Sequence, residues 1–363
     1  MFWRWILVAS STDAKVLMVG PDRSLKGGIV SVVNGYFEAG LSDRCGRLDY
    51  HGTGVGVNLL AKSIAFAKSL SSYKNTLDPF DIVHLHMGPR GSYQRKKIMA
   101  RIAENKGKKV ILHEHSGEFA RDFESGNNVL RSDIRQTFNS ADLVIVLSEE
   151  WRDYFAENVC DSSKLVVLHN GVSVPQTPCT PCSHQTVLFL GRLGTRKSPD
   201  VLLRASREAL MEFPGMRLVF GGDGDLNFYE NLAEKLGIAD RCDFIGWVSG
   251  DDKERLFSEA GVYCLPSKHE GMPMSVLEAM AHGIPVITTP VGGIPHLISD
   301  GVDGCLMNVD DESRLSDLLL EFERSPQRRA EIGYAGRDKI QAGFDINDIL
   351  NQLVTFYNEL FMA

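Results

Sequence analysis

The sequence of 363 residues has no long apolar run and few cysteines. About 18 consecutive apolar residues would be needed to cross a membrane and none occur, so no transmembrane helix is expected. The apolar opening at 2–9 is interrupted by Arg4 and is too short for a signal peptide. The seven cysteines are scattered, which is typical of free thiols in a reducing compartment. We therefore expect a cytoplasmic protein.

The composition is that of a folded α/β chain with an uneven charge. It is 43% hydrophobic and 24% charged, which excludes a disordered or collagen-like chain. Residues 1–174 carry 22 Lys and Arg against 19 Asp and Glu, whereas the rest carries 17 against 28. The basic excess is concentrated in 90–109, which could contact an anionic membrane surface or form a solvated helix face. The candidate membrane residues are Arg90, Arg95, Lys96, Lys97 and Arg101.

Short apolar, β-branched runs alternate with helical patterns, which is typical of parallel sheets built from βαβ units. The strands are predicted at 15–20, 82–86, 109–113, 143–147, 186–190, 217–220, 262–265 and 285–288. Three prolines in 174–183 indicate an extended linker. We predict an α/β fold with two Rossmann-like domains facing each other across a cleft. The predicted domains are 1–173 and 186–343, joined by a linker at 174–185, with a C-terminal helix at 344–363 that packs back on the first domain.

The strongest chemical motif follows the strand that ends near Pro266. Glu270 and Glu278 stand eight residues apart, and Pro273 suits a first helical turn. Gly271 lets the backbone come close to a ligand, and the free amides of a helix N-terminus bind anions. The side chain of Glu278 leans back toward that N-terminus. The two carboxylates could therefore accept hydrogen bonds from ligand hydroxyls while the amides hold a phosphate.

A second motif is the glycine-bounded loop at 191–198. Arg192 and Lys197 stand five residues apart after a predicted strand. A leaving diphosphate needs about two positive charges where no metal ion supplies them. Arginine offers a planar fork of donors and lysine a point charge, so both types suit this role. Taken alone, two such cations are ordinary surface residues. Because they follow a predicted strand and precede the glutamate motif, a role in binding a diphosphate is favoured.

These motifs resemble the retaining GT-B glycosyltransferases of family 4. The resemblance is carried by the Gly-Arg-Leu loop with its lysine, Gly221-Gly-Asp-Gly224, Phe244-Ile-Gly246, the Glu-x7-Glu segment, Gly292-Gly293 and Asn170-Gly-Val172. It covers nearly the whole chain. It implies a nucleotide-sugar donor held mainly by the second domain, and transfer with retention of anomeric configuration without a metal or another cofactor.

The resemblance also implies roles for single residues. Glu270 would contact the sugar hydroxyls, Glu278 the ribose, and Arg192 with Lys197 the diphosphate. Backbone amides would come from Gly271, Met272, Pro273 and Met274, and the loop from Phe244 to Gly246 would border the nucleobase. In the first domain, Gly27 and Gly28 match the glycine loop near the donor phosphates. His115 matches the histidine near the donor sugar and the acceptor.

The run 113–119, with 82–86 and 88–92 before it, is similar to members of the family that build exopolysaccharide or O-antigen repeats. The function expected from this resemblance is transfer of a hexosyl group from a UDP- or GDP-sugar to an acceptor hydroxyl, a lipid-linked glycan in surface polysaccharide synthesis. The protein would act at the inner face of the cell membrane and would bind no nucleic acid. His296 stands where many relatives have a glutamate, which leaves any contact at that position in doubt.

Other interpretations stay open. A sugar-nucleotide epimerase shares this fold, and a non-enzymatic protein could keep the nucleotide pocket. His115 could be purely structural, or could bind a metal with His86 and His113. Gly52-Thr-Gly-Val-Gly56 has the wrong spacing for a dinucleotide fingerprint. The pair Cys179 and Cys182 has the spacing of a redox or half-zinc site, but it lies in the linker.

Overall fold

The computed structural model describes residues 9–54, 59–89, 91–179 and 185–363. The apolar opening up to residue 8, Arg90, the last two residues of the Gly52–Gly56 motif and Cys182 lie outside these ranges. The chain divides into two compact units. One comprises the residues up to Gly171 together with Ile346–Ala363, and the other comprises Val172–Asp345. Within the described ranges, each helix is too short or too polar to cross a membrane.

The first unit contains a parallel six-stranded sheet. Its strands are β1 (Thr12–Gly20), β2 (Cys45–Gly52), β3 (Ile82–Met87), β4 (Lys109–Glu114), β5 (Leu143–Val146) and β6 (Leu165–Val167), in the order β2-β1-β3-β4-β5-β6. The helices are α1 (Gly28–Glu38), α2 (Leu59–Thr76), α3 (Gly91–Asn105), α4 (Phe119–Glu124), α5 (Asn128–Ser140) and α6 (Glu149–Asn158). Every residue of β3 is buried, as expected of a central strand covered on both faces.

The second unit repeats this architecture. Its strands are β7 (Thr186–Leu190), β8 (Arg217–Gly221), β9 (Cys242–Gly246), β10 (Val262–Leu265), β11 (Val286–Thr288) and β12 (Cys305–Leu306), in the order β12-β11-β10-β7-β8-β9. The helices are α7 (Pro199–Ala205), α8 (Arg207–Glu212), α9 (Leu226–Leu236), α10 (Asp251–Ser258), α11 (Met274–Ala281), α12 (Ile294–Leu297), α13 (Glu312–Arg324) and α14 (Pro326–Gly343). Asp225 and Asp311 cap α9 and α13 by accepting backbone hydrogen bonds.

The chain ends in α15 (Ile346–Met362), which belongs to the first unit and packs against β1 and β3. Its apolar residues include Ile349, Leu353 and Tyr357, all fully buried. Arg44, which directly precedes β2, donates to Asn351 over 2.7 Å and so ties this helix to the sheet edge. The predicted α/β class is therefore confirmed, with one parallel sheet in each unit.

Candidate active site

Three neighbouring strands of the second sheet end in loops at the same edge. β7, β10 and β11 lie side by side in parallel, so their carboxyl ends meet where ligands bind in such sheets. The backbone N–H of Lys268, after β10, donates to the carbonyl of Arg196, after β7, over 2.8 Å. The N–H of Gly293, after β11, donates to the carbonyl of Gly271 over 2.7 Å. Backbone hydrogen bonds therefore hold the three loops together.

A buried ion pair lies where these loops meet. Lys197 Nζ is 2.5 Å from Glu270 Oε1, and Arg196 Nη1 is 3.7 Å from Glu270 Oε2. Burial lowers the pKa of Lys197, while attraction to Glu270 opposes that shift. Arg196 also donates to the carbonyl of His269 over 3.2 Å. The Glu270 carboxylate is thus fixed between two cations at the edge of the sheet.

Glu278 lies on α11, just after the loop that carries Glu270. The helix begins at Met274, directly after Pro273, which puts Glu278 in its second turn. Its Oε1 accepts a hydrogen bond from Lys253 Nζ, on α10, over 2.7 Å. Burial raises the pKa of Glu278, and the charge of Lys253 opposes that rise. Each of the two glutamates therefore has its own lysine partner.

The other residues predicted for the donor site lie on the same sheet or beside it. Arg192 is exposed in the turn after β7, and Met272 is buried in the loop after β10. Phe244 stacks on Phe220 with 4.8 Å between ring centroids. Gly246 ends β9 with a φ of 71°. Phe244 therefore packs against a core ring, while Gly246 forms the strand end.

Sequence reasoning missed two cations of this site, Arg196 and Lys253. Arg196 directly precedes Lys197, but the positions of two adjacent cations in a loop do not show which of their side chains faces a carboxylate. Lys253 lies between acidic residues at the start of α10, where its sequence context indicates a solvated helix end. Only the packing of α10 beside α11 brings it to Glu278.

In the first unit, the two predicted glycines lie where β1 leads into α1. Gly27 directly precedes the helix, with a φ of 146°, and Gly28 is the first helical residue. A Cβ atom added at either position would meet no described atom within 4 Å. The backbone of this turn is therefore open to close approach by a ligand.

His115 directly follows β4. Its Nε2 lies 3.0 Å from His86 Nδ1. Burial, aided by the charge of Lys96, lowers the pKa of His115 to about 3. The imidazole is therefore neutral near pH 7 and a weak base, so one of its ring nitrogens can accept a hydrogen bond.

The structure corrects the predicted basic surface on α3. Lys96 has no exposed surface, its Nζ donates to Ser92 Oγ over 2.7 Å, and burial lowers its pKa to about 7. Its inclusion among the membrane-facing residues was therefore wrong. Lys97 lies 2.8 Å from Asp133, and Arg101 lies 3.6 Å from the same carboxylate. Part of the positive charge predicted for this face is neutralised within the unit.

A cavity of about 520 Å³ in the first unit was also not predicted. Its apolar lining comes mostly from α4 and α5 and includes Phe119, Phe123, Leu130 and Ile134. Glu114, at the end of β4, contributes a polar wall, and burial raises its pKa to about 7. The cavity thus combines an aliphatic and aromatic surface with the carboxyl groups of Glu114 and Asp122.

Two solved structures share this architecture. HepE of Anabaena, solved in complex with UDP-glucose, aligns with a TM-score of 0.74 and 18% identity over 94% of this chain and 98% of that one. Sucrose-phosphate synthase of Thermosynechococcus elongatus aligns with a TM-score of 0.77 and 19% identity over 96% and 100%. The fold is therefore the GT-B fold.

Two family models together match most of the chain. The model of Glycosyltransferase Family 4 matches residues 41–175, and that of Glycosyl transferases group 1 matches residues 181–339. This chain belongs to the group 1, family 4 glycosyltransferases, as the motifs predicted.

Curated relatives agree with this assignment. D-inositol 3-phosphate glycosyltransferase of Mycolicibacterium smegmatis is 31% identical over 211 residues, 53% of this chain and 48% of that protein. The putative glycosyltransferase EpsD of Bacillus subtilis is 27% identical over 295 residues, 76% of each chain. The chain spans about half the length of the D-inositol 3-phosphate glycosyltransferases it matches.

Proposed function

We propose that this chain transfers a hexosyl group from a UDP- or GDP-sugar to an acceptor hydroxyl, with retention of configuration. The observation that carries the proposal is the Lys197–Glu270 pair, buried where three strand ends meet. A carboxylate held by cations orients sugar hydroxyls, and the cations stabilise the leaving diphosphate. Glu278 and its partner Lys253 lie on the adjoining helices and supply the ribose contact.

In the proposed reaction, the bond from the anomeric carbon to the diphosphate breaks as the acceptor oxygen bonds to that carbon on the same face. The acceptor proton passes to the departing phosphate oxygen, so no protein nucleophile is needed. Lys197 and Arg192 balance the charge that develops on the diphosphate, with Arg196 as an additional cation. The open turn at Gly27 and Gly28 admits the phosphates, and His115 serves the acceptor side. We propose that this set of cations makes a metal ion at the diphosphate unnecessary.

The proposed acceptor is a lipid-linked glycan of surface polysaccharide synthesis. The cavity beside Glu114 supports this proposal because its apolar lining suits a lipid or an apolar sugar face. Arg95 and Arg101 on α3 are proposed to aid peripheral binding to an anionic membrane, since the side chain of Arg101 is 49% exposed. The relative EpsD, a putative glycosyltransferase that aligns with three quarters of the chain, supports the proposed glycosyl transfer.

The test is nucleotide release from a panel of UDP-, GDP- and ADP-sugars in EDTA, with an extract of lipid-linked glycans as acceptor. Native protein is compared with Glu270→Gln and with Glu259→Gln, a control for loss of an exposed glutamate in the same unit. We expect release from one donor, reduced at least about 100-fold in Glu270→Gln while nucleotide affinity is largely kept. Inositol phosphate as a second acceptor tests whether this chain shares the activity of the D-inositol 3-phosphate glycosyltransferase relative.

If the native protein binds nucleotide but releases none from any donor sugar, the non-enzymatic alternative would be favoured. Epimerisation of a donor sugar without transfer would favour the epimerase. Release that requires an added divalent ion would contradict the proposed metal independence. Circular dichroism of Glu270→Gln separates loss of activity from loss of the fold.

A further inference from the structure

Four histidines stand together at the centre of the first sheet. His84 and His86 lie two residues apart on β3, so their side chains project from the same face of the strand. β4 pairs in parallel with β3 and places His113 directly opposite His86. His115 follows two residues later. The register of two neighbouring strands therefore gathers four imidazoles on one side of the sheet.

The imidazole rings are in direct contact. The ring centroids of His84 and His86 are 4.5 Å apart, and that of His113 is 5.3 Å from His84 and 5.4 Å from His86. His84 Nε2 lies 3.2 Å from His113 Nδ1. One ring nitrogen from each of these three residues can be chosen so that all three lie within 4.8 Å of one another. This spacing is close enough for three ligands to converge on one ion.

The hydrogen bonds of the cluster leave two nitrogens unused. His84 Nδ1 lies 2.7 Å from the hydroxyl of Tyr357, on α15, and His86 Nδ1 lies 3.0 Å from His115 Nε2. In contrast, His86 Nε2 and His113 Nε2 are buried without a hydrogen-bond partner. Buried polar atoms are almost always paired. Two such nitrogens in neighbouring, fully buried rings therefore point to a ligand.

We propose that His84, His86 and His113 form a binding site for one divalent transition-metal ion of the zinc type. Imidazole nitrogen is a preferred ligand of Zn²⁺, Cu²⁺ and Ni²⁺, and three histidines with one open position make a known kind of zinc site. The fourth position is left for water. All three ligands belong to the first unit, whereas Lys197, Glu270 and Glu278 belong to the second.

The hydrogen bonds around the cluster suit metal binding. A ligating histidine ordinarily donates its second ring N–H to a neighbouring acceptor, which fixes its tautomer. The hydroxyl oxygen of Tyr357 can accept from His84 Nδ1, and His115 Nε2 can accept from His86 Nδ1. The Nε2 lone pair of His86 is then left for the ion, and that of His84 becomes available when the ion replaces its contact with His113 Nδ1.

The experiment is a titration of EDTA-treated, desalted full-length chain with Co²⁺, followed by its visible spectrum, and then displacement by Zn²⁺. We expect one ion per chain. Substitutions His84→Gln, His86→Gln and His113→Gln should each weaken binding by more than the roughly 10- to 100-fold that is lost when a ligand loses its hydrogen-bond partner. Tyr357→Phe should weaken binding within that range, because it removes the partner of His84 Nδ1.

His51→Gln is the matched control, since His51 lies on β2 of the same unit and bonds to Ser69 instead. It should bind the ion with native affinity. Native chain that binds no Co²⁺ or Zn²⁺ overturns the proposal, whatever the folding of the variants. Equal affinity in the native chain and in a folded His84→Gln/His113→Gln variant also overturns it, because the ion would then sit elsewhere.

Discussion

Lys197 and Glu270 form an ion pair that is almost wholly removed from water. Lys197 Nζ lies 2.5 Å from Glu270 Oε1, and the side chains are 11% and 5% exposed. The pair joins the loop after β7 to the loop after β10, so it has a structural consequence as well as a proposed catalytic one. Two buried opposite charges stabilise each other, but either one alone is costly.

We predict that Lys197→Met lowers the free energy of unfolding of the second unit by about 3 kcal/mol, because it leaves the Glu270 carboxylate buried with only Arg196 nearby. Adding Glu270→Gln should recover part of this loss, since it removes the unpaired charge. Urea unfolding of the two single variants and the double variant gives the coupling between them. Additive losses would show that the pair does not act as a unit.

A glycine that lies against the backbone of Glu270 gives a second prediction. Gly292 has a φ of 58°, and a Cβ atom there would lie 2.0 Å from the carbonyl oxygen of Glu270. Gly237 has a similar φ of 72°, but its Cβ would meet no described atom within 4 Å. Gly237→Ala should therefore cost only the left-handed strain of about 1 to 2 kcal/mol. Gly292→Ala should cost more, because it must also move the backbone of Glu270.

The measurement is urea unfolding of both alanine variants together with their affinity for the donor nucleotide. We expect nucleotide binding to weaken at least about tenfold in Gly292→Ala, equivalent to 1.4 kcal/mol, and to be unchanged in Gly237→Ala. Equal stability losses in the two variants would mean that the loops relax around the new methyl group.

The strands that could be predicted from the sequence differ physically from those that could not. The central strands, such as β3 and β10, are buried throughout and consist mostly of apolar residues. The four unpredicted strands, β2, β6, β9 and β12, are the edge strands of the two sheets. β2 has the sequence Cys-Gly-Arg-Leu-Asp-Tyr-His-Gly and is only half buried. An edge strand needs no continuous apolar run, so its pattern does not stand out.

The candidate site shows the same division. Glu270 and Glu278 were predictable because a motif fixes their spacing along one loop and helix. Lys253 belongs to another helix, and only tertiary packing brings it to Glu278. Lys96 was misplaced because its neighbours on α3 are basic, although α3 packs its side chain inward. Sequence therefore located Glu270, Glu278 and Lys197 within their motifs, but it did not show which cations pair with the two glutamates.

The buried Lys96 gives a prediction about pH. Its pKa falls from 10.5 to about 7 on folding, so between these values the unfolded chain holds a proton that the folded chain has lost. The contribution of Lys96 to the free energy of unfolding therefore rises with pH across that window, by up to about 1.4 kcal/mol per pH unit. The destabilising effect of burying Lys96 is greatest below pH 7. Lys96→Met should be more stable than the native chain at pH 7, with a gain that shrinks toward pH 10.

Urea unfolding at pH 7, 8 and 9 tests this sign. Lys97→Met is the control on the same helix, because it removes a partly buried lysine that is paired with Asp133 and leaves Lys96 intact. It should be less stable than the native chain and keep the native pH slope. A Lys96→Met variant with the native slope would mean that Lys96 keeps its charge in the folded chain.

The pairing on α3 leads to a prediction about membranes. Asp133 neutralises part of the charge of Lys97 and Arg101, at 2.8 and 3.6 Å. Each basic residue near an anionic surface contributes about 1 kcal/mol, so Asp133→Asn should strengthen binding to phosphatidylserine vesicles about fivefold at low salt. Arg101→Gln should weaken it by a similar factor, and both effects should fade as salt rises because the charges are screened. Co-sedimentation with anionic and neutral vesicles is the measurement. Equal recovery on both kinds of vesicle, or no response to Asp133→Asn, would remove α3 from the proposed membrane contact.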